Sequence, residues 1–245
     1  MRAFPIEVGG GVATCVRVQQ PDSLPAALAL AGLGPPRPVV VVVGGASGLG
    51  DANLERLAPL FADGLVPALE RAGAIAVDGG TNAGVMRLLG EARLAQSRSF
   101  PLVGVTAEGT VRLPGDAQAK RDASDLEPHH SHFILVPGAE WGDESVWIAL
   151  TATHLANGSP SMTVLVNGGD IAYADALRSV QAGRPLVVVA GTGRAADEIA
   201  AAIQGEPADQ RAEAIAASDL VTTVAADDPW MLLRAVTTAL APASA

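Results

Sequence analysis

The chain is expected to fold as an α/β protein: a doubly wound, mostly parallel sheet of about seven strands, helices on both faces, and a short N-terminal appendage. Three observations predict this. An apolar, largely β-branched run of about five residues recurs between Val39 and Val224. The first six runs are followed closely by glycine, and each gives way to a stretch of helical length. A run that is apolar at every position, rather than alternating, is what a strand covered on both faces requires. Strand, turn and helix in this alternation make the architecture Rossmann-like.

Residues 1–34 form the appendage. Ile6 to Val8 and Ala13 to Val18 read as a hairpin around Gly9-Gly10-Gly11, and Ser23 to Ala31 reads as a helix with Pro25 in its first turn. Gly34-Pro35-Pro36-Arg37-Pro38 then stops regular structure, and the main domain, 35–245, begins. Its strands are Val39 to Val43, Ala74 to Asp78, Leu102 to Thr106, His132 to Val136, Thr163 to Asn167, Leu186 to Ala190 and, more weakly, Leu220 to Val224. Leu54, Leu57, Phe61, Leu65 and Leu69 recur at helical spacing, though Pro59 and Pro67 should kink or divide that helix. Val85, Leu88, Leu89 and Leu94 mark a second helix. Leu113 to His129 is polar and irregular, a candidate lid. Stretches 205–219 and 229–240 read as helices flanking the last strand, with a frayed tail beyond them.

Composition narrows the function. The longest apolar runs are strand-sized, which excludes a membrane-spanning helix, and no apolar core follows Arg2 as a signal peptide needs. A cytoplasmic protein is expected. One cysteine, Cys15, rules out an internal disulfide and reads as a small buried hydrophobe. A net charge of −10 argues against nucleic-acid polymers and anionic membranes as partners, since both demand basic surface. A small anion is still permitted, because a local nest of backbone N–H groups and an arginine can hold it.

In an open α/β sheet the ligand lies beyond the carboxyl ends of the strands, so the turns there carry the chemistry. They hold Gly44, Gly45, Ala46 and Ser47 after the first strand, and Gly79, Gly80, Thr81, Asn82 and Gly84 after the second. Thr110 and Arg112 follow the third, Gly138, Trp141 and Glu144 the fourth, Asn167 and Gly168 the fifth, and Gly191, Thr192, Gly193 and Arg194 the sixth. Glycines on one rim let the backbone approach an anionic ligand, and helix N-termini can present free N–H groups to it. The loop Gly44-Gly45-Ala46-Ser47-Gly48-Leu49-Gly50 looks like the cofactor loop of short-chain dehydrogenases. Their Tyr-x-x-x-Lys relay cannot be built here: the sole tyrosine, Tyr173, is followed four residues on by Leu177, and Lys120 is the only lysine. With no Gly-Lys-Ser/Thr, a Walker A loop is excluded too.

The ordered set Gly44-Gly45-Ala46, Asp78-Gly79-Gly80-Thr81-Asn82-Ala83-Gly84-Val85-Met86, Gly104-Val105-Thr106 with Glu108-Gly109-Thr110-Val111, His130-Ser131-His132-Phe133-Ile134-Leu135-Val136, Leu165-Val166-Asn167-Gly168-Gly169 and Val189-Ala190-Gly191-Thr192-Gly193-Arg194-Ala195-Ala196-Asp197 resembles the SLOG domain at the cytoplasmic N-terminus of TRPM cation channels. It is similar to the prokaryotic-type LSDAT branch. The resemblance implies a Rossmann-like domain that binds nucleotide-derived ligands, ADP-ribose among them. It further implies kinship with the LOG phosphoribohydrolases, which cleave the N-glycosidic bond of nucleoside monophosphates. Their Gly-Gly-Gly-x-x-Gly-Leu-Met is echoed by Asp78 to Met86. Their Pro-Gly-Gly-x-Gly-Thr-x-x-Glu survives only as Pro137-Gly138 and, at changed spacing, Gly142 and Glu144.

Arg194 and Arg112 are the candidate phosphate partners, with Arg87 behind them. Glu144 is the residue for general acid/base work if the protein is an enzyme, and otherwise a helix-dipole partner. Alternation puts His130 and His132 on one side of an extended segment, near Asp143 or Glu144, a metal-ligand pattern. The resemblance accounts for His132 without a metal, as part of the ligand edge, and no tightly bound metal is expected. Trp141, in the same loop as Glu144, can stack on a base or equally serve the core or a dimer contact. The expectation is binding or sensing of a small nucleotide-derived ligand, the alternative an N-glycosidic hydrolase using Glu144. Homo-oligomerisation is open, and membrane insertion is not expected.

Overall fold

The structure, a computed structural model, describes residues 1–34, 36–45, 49–115 and 122–242; Ala46, Ser47 and Gly48 of the first glycine loop, and Lys120, lie outside them. The chain opens with β1 (Ala3–Val8) and β2 (Gly11–Arg17), paired antiparallel across Gly9 and Gly10, both at positive φ. α1 (Leu24–Leu30) carries Pro25 in its first turn, where the missing N–H leaves no helical bond unmade. β3 (Val39–Gly44) follows, with every valine buried. Next come α2 (Asp51–Pro59), a π-helical stretch Leu60–Leu65, and α3 (Val66–Ala72). The helix is thus divided where its prolines predict, since each lacks the donor a continuous α-helical ladder needs.

The remaining elements are β4 (Ile75–Asp78), α4 (Gly84–Ala95), β5 (Leu102–Ala107), the short β6 (Val111–Arg112) and β7 (Ser124–Asp125), then β8 (His132–Val136), α5 (Ser145–Ala156) and β9 (Ser161–Val166). After them stand α6 (Asp170–Gln181), β10 (Leu186–Ala190), α7 (Arg194–Ile203), α8 (Gln210–Ala216), β11 (Val221–Ala225) and α9 (Pro229–Ala239).

The main sheet has nine strands in the order β1-β2-β8-β5-β4-β3-β9-β10-β11, parallel except for β1. Two more than expected arise because the N-terminal hairpin continues the sheet: β2 runs parallel to β8, with Thr14 opposite His132 and Arg17 opposite Leu135. The valines of β3 show why the sheet must be covered twice. Val39, Val41 and Val43 pack with Leu24, Trp147, Ile148, Tyr173, Ile199 and Ile215 of α1, α5, α6, α7 and α8. Val40 and Val42 point the other way, into Leu57, Phe61, Leu69, Leu89 and Leu232 of the α2–α3 segment, α4 and α9. Cys15 is buried in β2, and burial pushes its thiol up to about 12, so it behaves as a small hydrophobe.

Leu113 to His129 departs from the irregular lid expected of it. β7 pairs with β6, Leu126 bridges Thr81, and Glu127 is fully buried, so the described part is tied down; residues 116–121 lie outside the described set. Among the described residues no helix is long and apolar enough to cross a membrane.

The strand order fixes where a ligand can sit. From β3 the chain works outward through β4 and β5 to β8, returns across the face by α5 to β9 on the other side of β3, and works outward again through β10 and β11. The reversal point is the gap between β3 and β9, and connections leaving their carboxyl ends diverge there and open a crevice.

Candidate functional site

A cleft of about 560 Å³ occupies that crevice. Its floor is Val42, Val43, Gly44 and Gly45 of β3 and the following turn. Gly79, Thr81, Ala83 and Met86 line one side, at the β4–α4 turn, and Gly169 to Ala172 with Asp175 line the other, on α6. Trp141, Glu144 and Ile148 close it from α5, Arg194 from α7, and Asp122 and Ser124 from the segment before β8. A smaller hollow of about 200 Å³ shares Gly169, Asp170 and Arg194 with it and extends to Tyr173 and Arg211. There the Arg211 guanidinium lies 4.2 Å from the Tyr173 ring centre and pairs with Asp170 at 2.8 Å.

The β3 turn is stitched to its neighbours. Gly45 N–H donates to the Val166 carbonyl (3.2 Å), and Val85 N–H donates to the Gly45 carbonyl (3.3 Å). A Cβ at Gly44 would run into the Val166 carbonyl oxygen, so this glycine is demanded by the β3–β9 approach.

The turn after β4 is held from beneath by a buried triad. His130 donates from Nε2 to Asp78 Oδ1 (2.8 Å) and from Nδ1 to Glu127 Oε2 (2.7 Å), and all three side chains are fully buried. Burial pulls the imidazole down, but the Asp78 charge and the hydrogen bonds to both carboxylates outweigh it and lift His130 to about 9. It is therefore an imidazolium at neutral pH. Asp78 Oδ1 also accepts from Gly80 N–H (2.7 Å), and Thr106 Oγ1 donates to the Gly79 carbonyl (2.8 Å). The triad thereby fixes the turn that carries Gly79 and Thr81 into the cleft. Thr81 Oγ1 is buried with no hydrogen-bond partner among the described residues.

On the β9–β10 side, Asn167 sits at φ 58, donates from its backbone to Thr192 Oγ1 (2.7 Å) and from Nδ2 to the Thr192 carbonyl (2.6 Å). Gly191 and Thr192 N–H both donate to Asp197 Oδ1, at 2.7 and 3.1 Å. Those two amides, expected to cradle a phosphate, are already committed within the protein. Arg194 is the α7 residue that reaches the cleft, packed against Gly169.

The α5 end carries the carboxylates. Glu144 immediately precedes α5 and accepts from Gly142 N–H at Oε2 (3.0 Å); burial raises its pKa, and Asp143 adds to the rise. Asp175, in the second turn of α6, is lifted to about 6, first by burial and then by the Glu144 charge, with the Ser145 hydroxyl and Arg178 opposing. Its Oδ1 is buried with no hydrogen-bond partner among the described residues. Among the described lining residues the cleft sets four carboxylates, Asp122, Glu144, Asp170 and Asp175, against one guanidinium, Arg194.

Of the residues expected at the site, the structure brings together Gly44, Gly45, Gly79, Thr81, Trp141, Glu144 and Arg194. Ala46 and Ser47 lie outside the described residues. Asn167, Gly168, Gly191, Thr192 and Gly193 form the scaffold beneath Arg194: the Gly168 carbonyl accepts from Ala195 N–H at 3.1 Å. Gly80 packs on Gly104, and Gly84 begins α4 at φ 50.

Others stand elsewhere. Arg112, with Asn82, lines a separate hollow beside Pro128, and its guanidinium is held by Asp125 (2.6 Å) and the Ala123 carbonyl (3.2 Å). Thr110 is buried and spends its hydroxyl on the Ala107 carbonyl (2.9 Å). His132 stands at the amino end of β8, opposite to the cleft rim, with Nδ1 at 2.8 Å from Ser131 Oγ. It and His130 have separate partners, so the expected one-sided pair is not formed. Gly138 packs against Asp143 and Ala107, behind the rim, and Arg87 pairs with Asp51 and Glu91 at the surface. Asp175 and Glu127 were missed because attention to turns passes over helix faces and loop cores. The available signal for Asp175 was a carboxylate among Ala172, Ala176 and Ser179 on the buried stripe of α6.

Fold and cleft together define a Rossmann-like α/β protein with a glycine-lined crevice at its topological switch point. Residues 37–234 match the family model described as "SLOG in TRPM, prokaryote", and the chain belongs to that family. It is similar to transient receptor potential cation channel subfamily M member 2 of Mus musculus, 29% identical over 209 residues, covering 69% of this chain and 13% of the channel. A subfamily M member-like 2 protein of Nematostella vectensis is 28% identical over 201 residues, covering 67% of this chain and 13% of its own length. The chain thus spans 13% of the length of these relatives. Among solved structures, the X-ray structure of TM1055, a structural genomics target, superposes with a TM-score of 0.51 at 19% identity, covering 80% of this chain and 98% of that one. At that identity the likeness is one of fold.

Proposed function

We propose that the protein binds a nucleotide-derived ligand in the switch-point cleft. The observation that carries this reading is the placement of the cleft: it lies where the connections leaving the carboxyl ends of β3 and β9 diverge, at the starts of α4, α5, α6 and α7, and Gly79 and Arg194 line it. Helix starts offer unpaired N–H groups to an anion, and a guanidinium matches phosphate oxygens bidentately. Gly79 meets nothing where a Cβ would stand, so neither packing nor a positive φ requires a glycine there, and its bare backbone is open to a ligand in the cleft. Trp141, 40% exposed at the mouth, offers a face for a base. The cleft volume falls within the range for small-ligand sites.

Calorimetric titration against ADP-ribose, NAD, AMP and cyclic dinucleotides tests the proposal. Saturable binding of at least one is expected. Absence of heat and of thermal stabilisation with all of them at millimolar concentration overturns it. The relatives are named as cation channels, but this chain spans too little of them for that activity to be carried over.

A second reading, hydrolysis of an N-glycosidic bond, is favoured by one feature: Glu144 and Asp175 are two partly buried carboxyls in electrostatic contact, both raised, in the same cleft. A carboxyl whose pKa is raised toward neutrality is better able to donate to a departing base while an ionised neighbour activates water. Release of free base from a nucleotide panel, abolished by Glu144→Gln, is the outcome this reading requires; binding without turnover leaves the ligand-binding reading alone.

A further inference from the structure

We infer that Asp175, with Glu144, forms the hydroxyl-reading end of the cleft, accepting hydrogen bonds from the vicinal hydroxyls of a ribose and so selecting ribonucleotides over 2′-deoxyribonucleotides. The inference rests on the nucleotide-binding reading above and adds to it a specificity determinant.

Three observations lead there. Asp175 lies on the α6 stripe that otherwise holds Ala172, Ala176 and Ser179, yet it lines the cleft instead of contributing to the core. Its Oδ1 is buried and no hydrogen bond of normal geometry reaches it among the described residues, although the Ser145 hydroxyl lies close enough to lower the Asp175 pKa; such an arrangement costs stability unless a further donor is supplied. Finally, the cleft differs along α6: Arg194 stands against Gly169 where the helix begins, beside an Asp170 whose carboxylate is paired with Arg211 at 2.8 Å, while Asp175 lies a turn further along, within reach of the Glu144 charge. A ligand with one anionic and one hydroxylated part fits that difference in a single orientation, phosphate toward Arg194 and sugar toward the carboxylates.

Hydroxyls suit the acidic end better than a cation does. Burial already disfavours charge at both carboxyls, and a neutral O–H is far cheaper to desolvate than an ammonium. Two adjacent hydroxyls can donate to the two carboxyls, and the Ser145 hydroxyl beside Asp175 completes a polar end. Among the described residues no three His, Cys, Asp or Glu side chains are grouped so that they could hold a metal ion.

The test is calorimetry at pH 7.5 with AMP and 2′-deoxy-AMP, on the wild-type chain and on Asp175→Asn and Asp175→Ala. Wild type is expected to prefer AMP by at least about tenfold, the worth of one hydrogen bond to a charged group. Asp175→Ala should bring AMP down to the deoxy level while leaving 2′-deoxy-AMP affinity within about twofold, because only the hydroxyl contact is lost. Equal wild-type affinities, or a preference that survives in Asp175→Ala, overturn the inference and leave nucleotide binding standing. Binding of neither nucleotide, nor of ADP-ribose, overturns both. Should Asp175→Ala fail to fold, the wild-type comparison and the near-isosteric Asp175→Asn decide the matter, the latter expected to lose most of the preference.

Discussion

His130 is an imidazolium enclosed between two carboxylates, and its charge is therefore a structural variable. Its folded pKa of about 9 exceeds the ordinary 6.5, so the folded state holds the proton more tightly than the unfolded chain does. The stability this contributes is complete below about pH 6.5 and is lost as pH rises through about 9. Urea melts from pH 6 to 10 should show that decline, and His130→Ala should remove it. The substitution leaves Asp78 and Glu127 buried without their cation, at an expected cost of about 3–5 kcal/mol. Asp175 shifts stability in the same direction with pH, although here it is the neutral form that the fold favours. Its folded pKa of about 6 lies above the ordinary 3.8, so stability falls as pH rises between them, with Glu144, Ser145 and Arg178 the groups that face it. Asp175→Asn should raise the melting temperature at pH 7 and flatten the pH dependence between about 4 and 6. A melting temperature below wild type at pH 7 would show that the carboxylate serves the fold instead of a ligand.

At the scale of elements, the glycine turns separate into those that packing demands and those it does not. Gly44 meets the Val166 carbonyl and Gly80 meets Gly104, whereas Gly79 has open space in the cleft. Gly44→Ala should therefore destabilise the protein by roughly 2–3 kcal/mol, because backbone on backbone has no flexible end to move aside. Gly79→Ala should melt within about 2 °C of wild type and yet weaken AMP binding by tenfold or more. Binding unaffected by Gly79→Ala would remove this turn from the ligand site. The same contrast shows what the sequence could tell. Strands were legible because burial on both faces leaves an unbroken apolar run: β8 and β10 begin and end where the runs do. The hairpin's membership of the sheet was not, since β2 pairs with β8 across most of the first half of the chain and no local pattern records it. Nor does the sequence separate rim glycines open to a ligand from Gly80, Gly138 and Gly168, where close packing alone already excludes a side chain. Turn position predicts that a glycine matters, but only the neighbouring atoms say to what.

For the molecule as a whole, the distinctive quantity is charge. The chain carries −10 at pH 7, and the described cleft lining adds no net positive patch, with four carboxylates around Arg194. An approaching nucleotide anion is thus repelled at long range and attracted only at contact, by the guanidinium and the helix N-termini. Salt acts unequally on the two. Repulsion spread over the surface operates beyond a Debye length of about 10 Å at 0.1 M and is screened first, while contacts inside a cleft are screened much less. The association rate for AMP should therefore rise as NaCl increases from about 20 to 200 mM, with affinity constant or slightly higher. Proteins that capture polyanions by basic surface behave oppositely, losing affinity steeply over the same interval. Stopped-flow titration with AMP, and with uncharged adenosine as the control whose rate should not move, measures the difference. A steep fall in AMP affinity with salt would mean that long-range basic attraction drives binding, and the ligand would then have to be sought on a surface other than this acidic cleft.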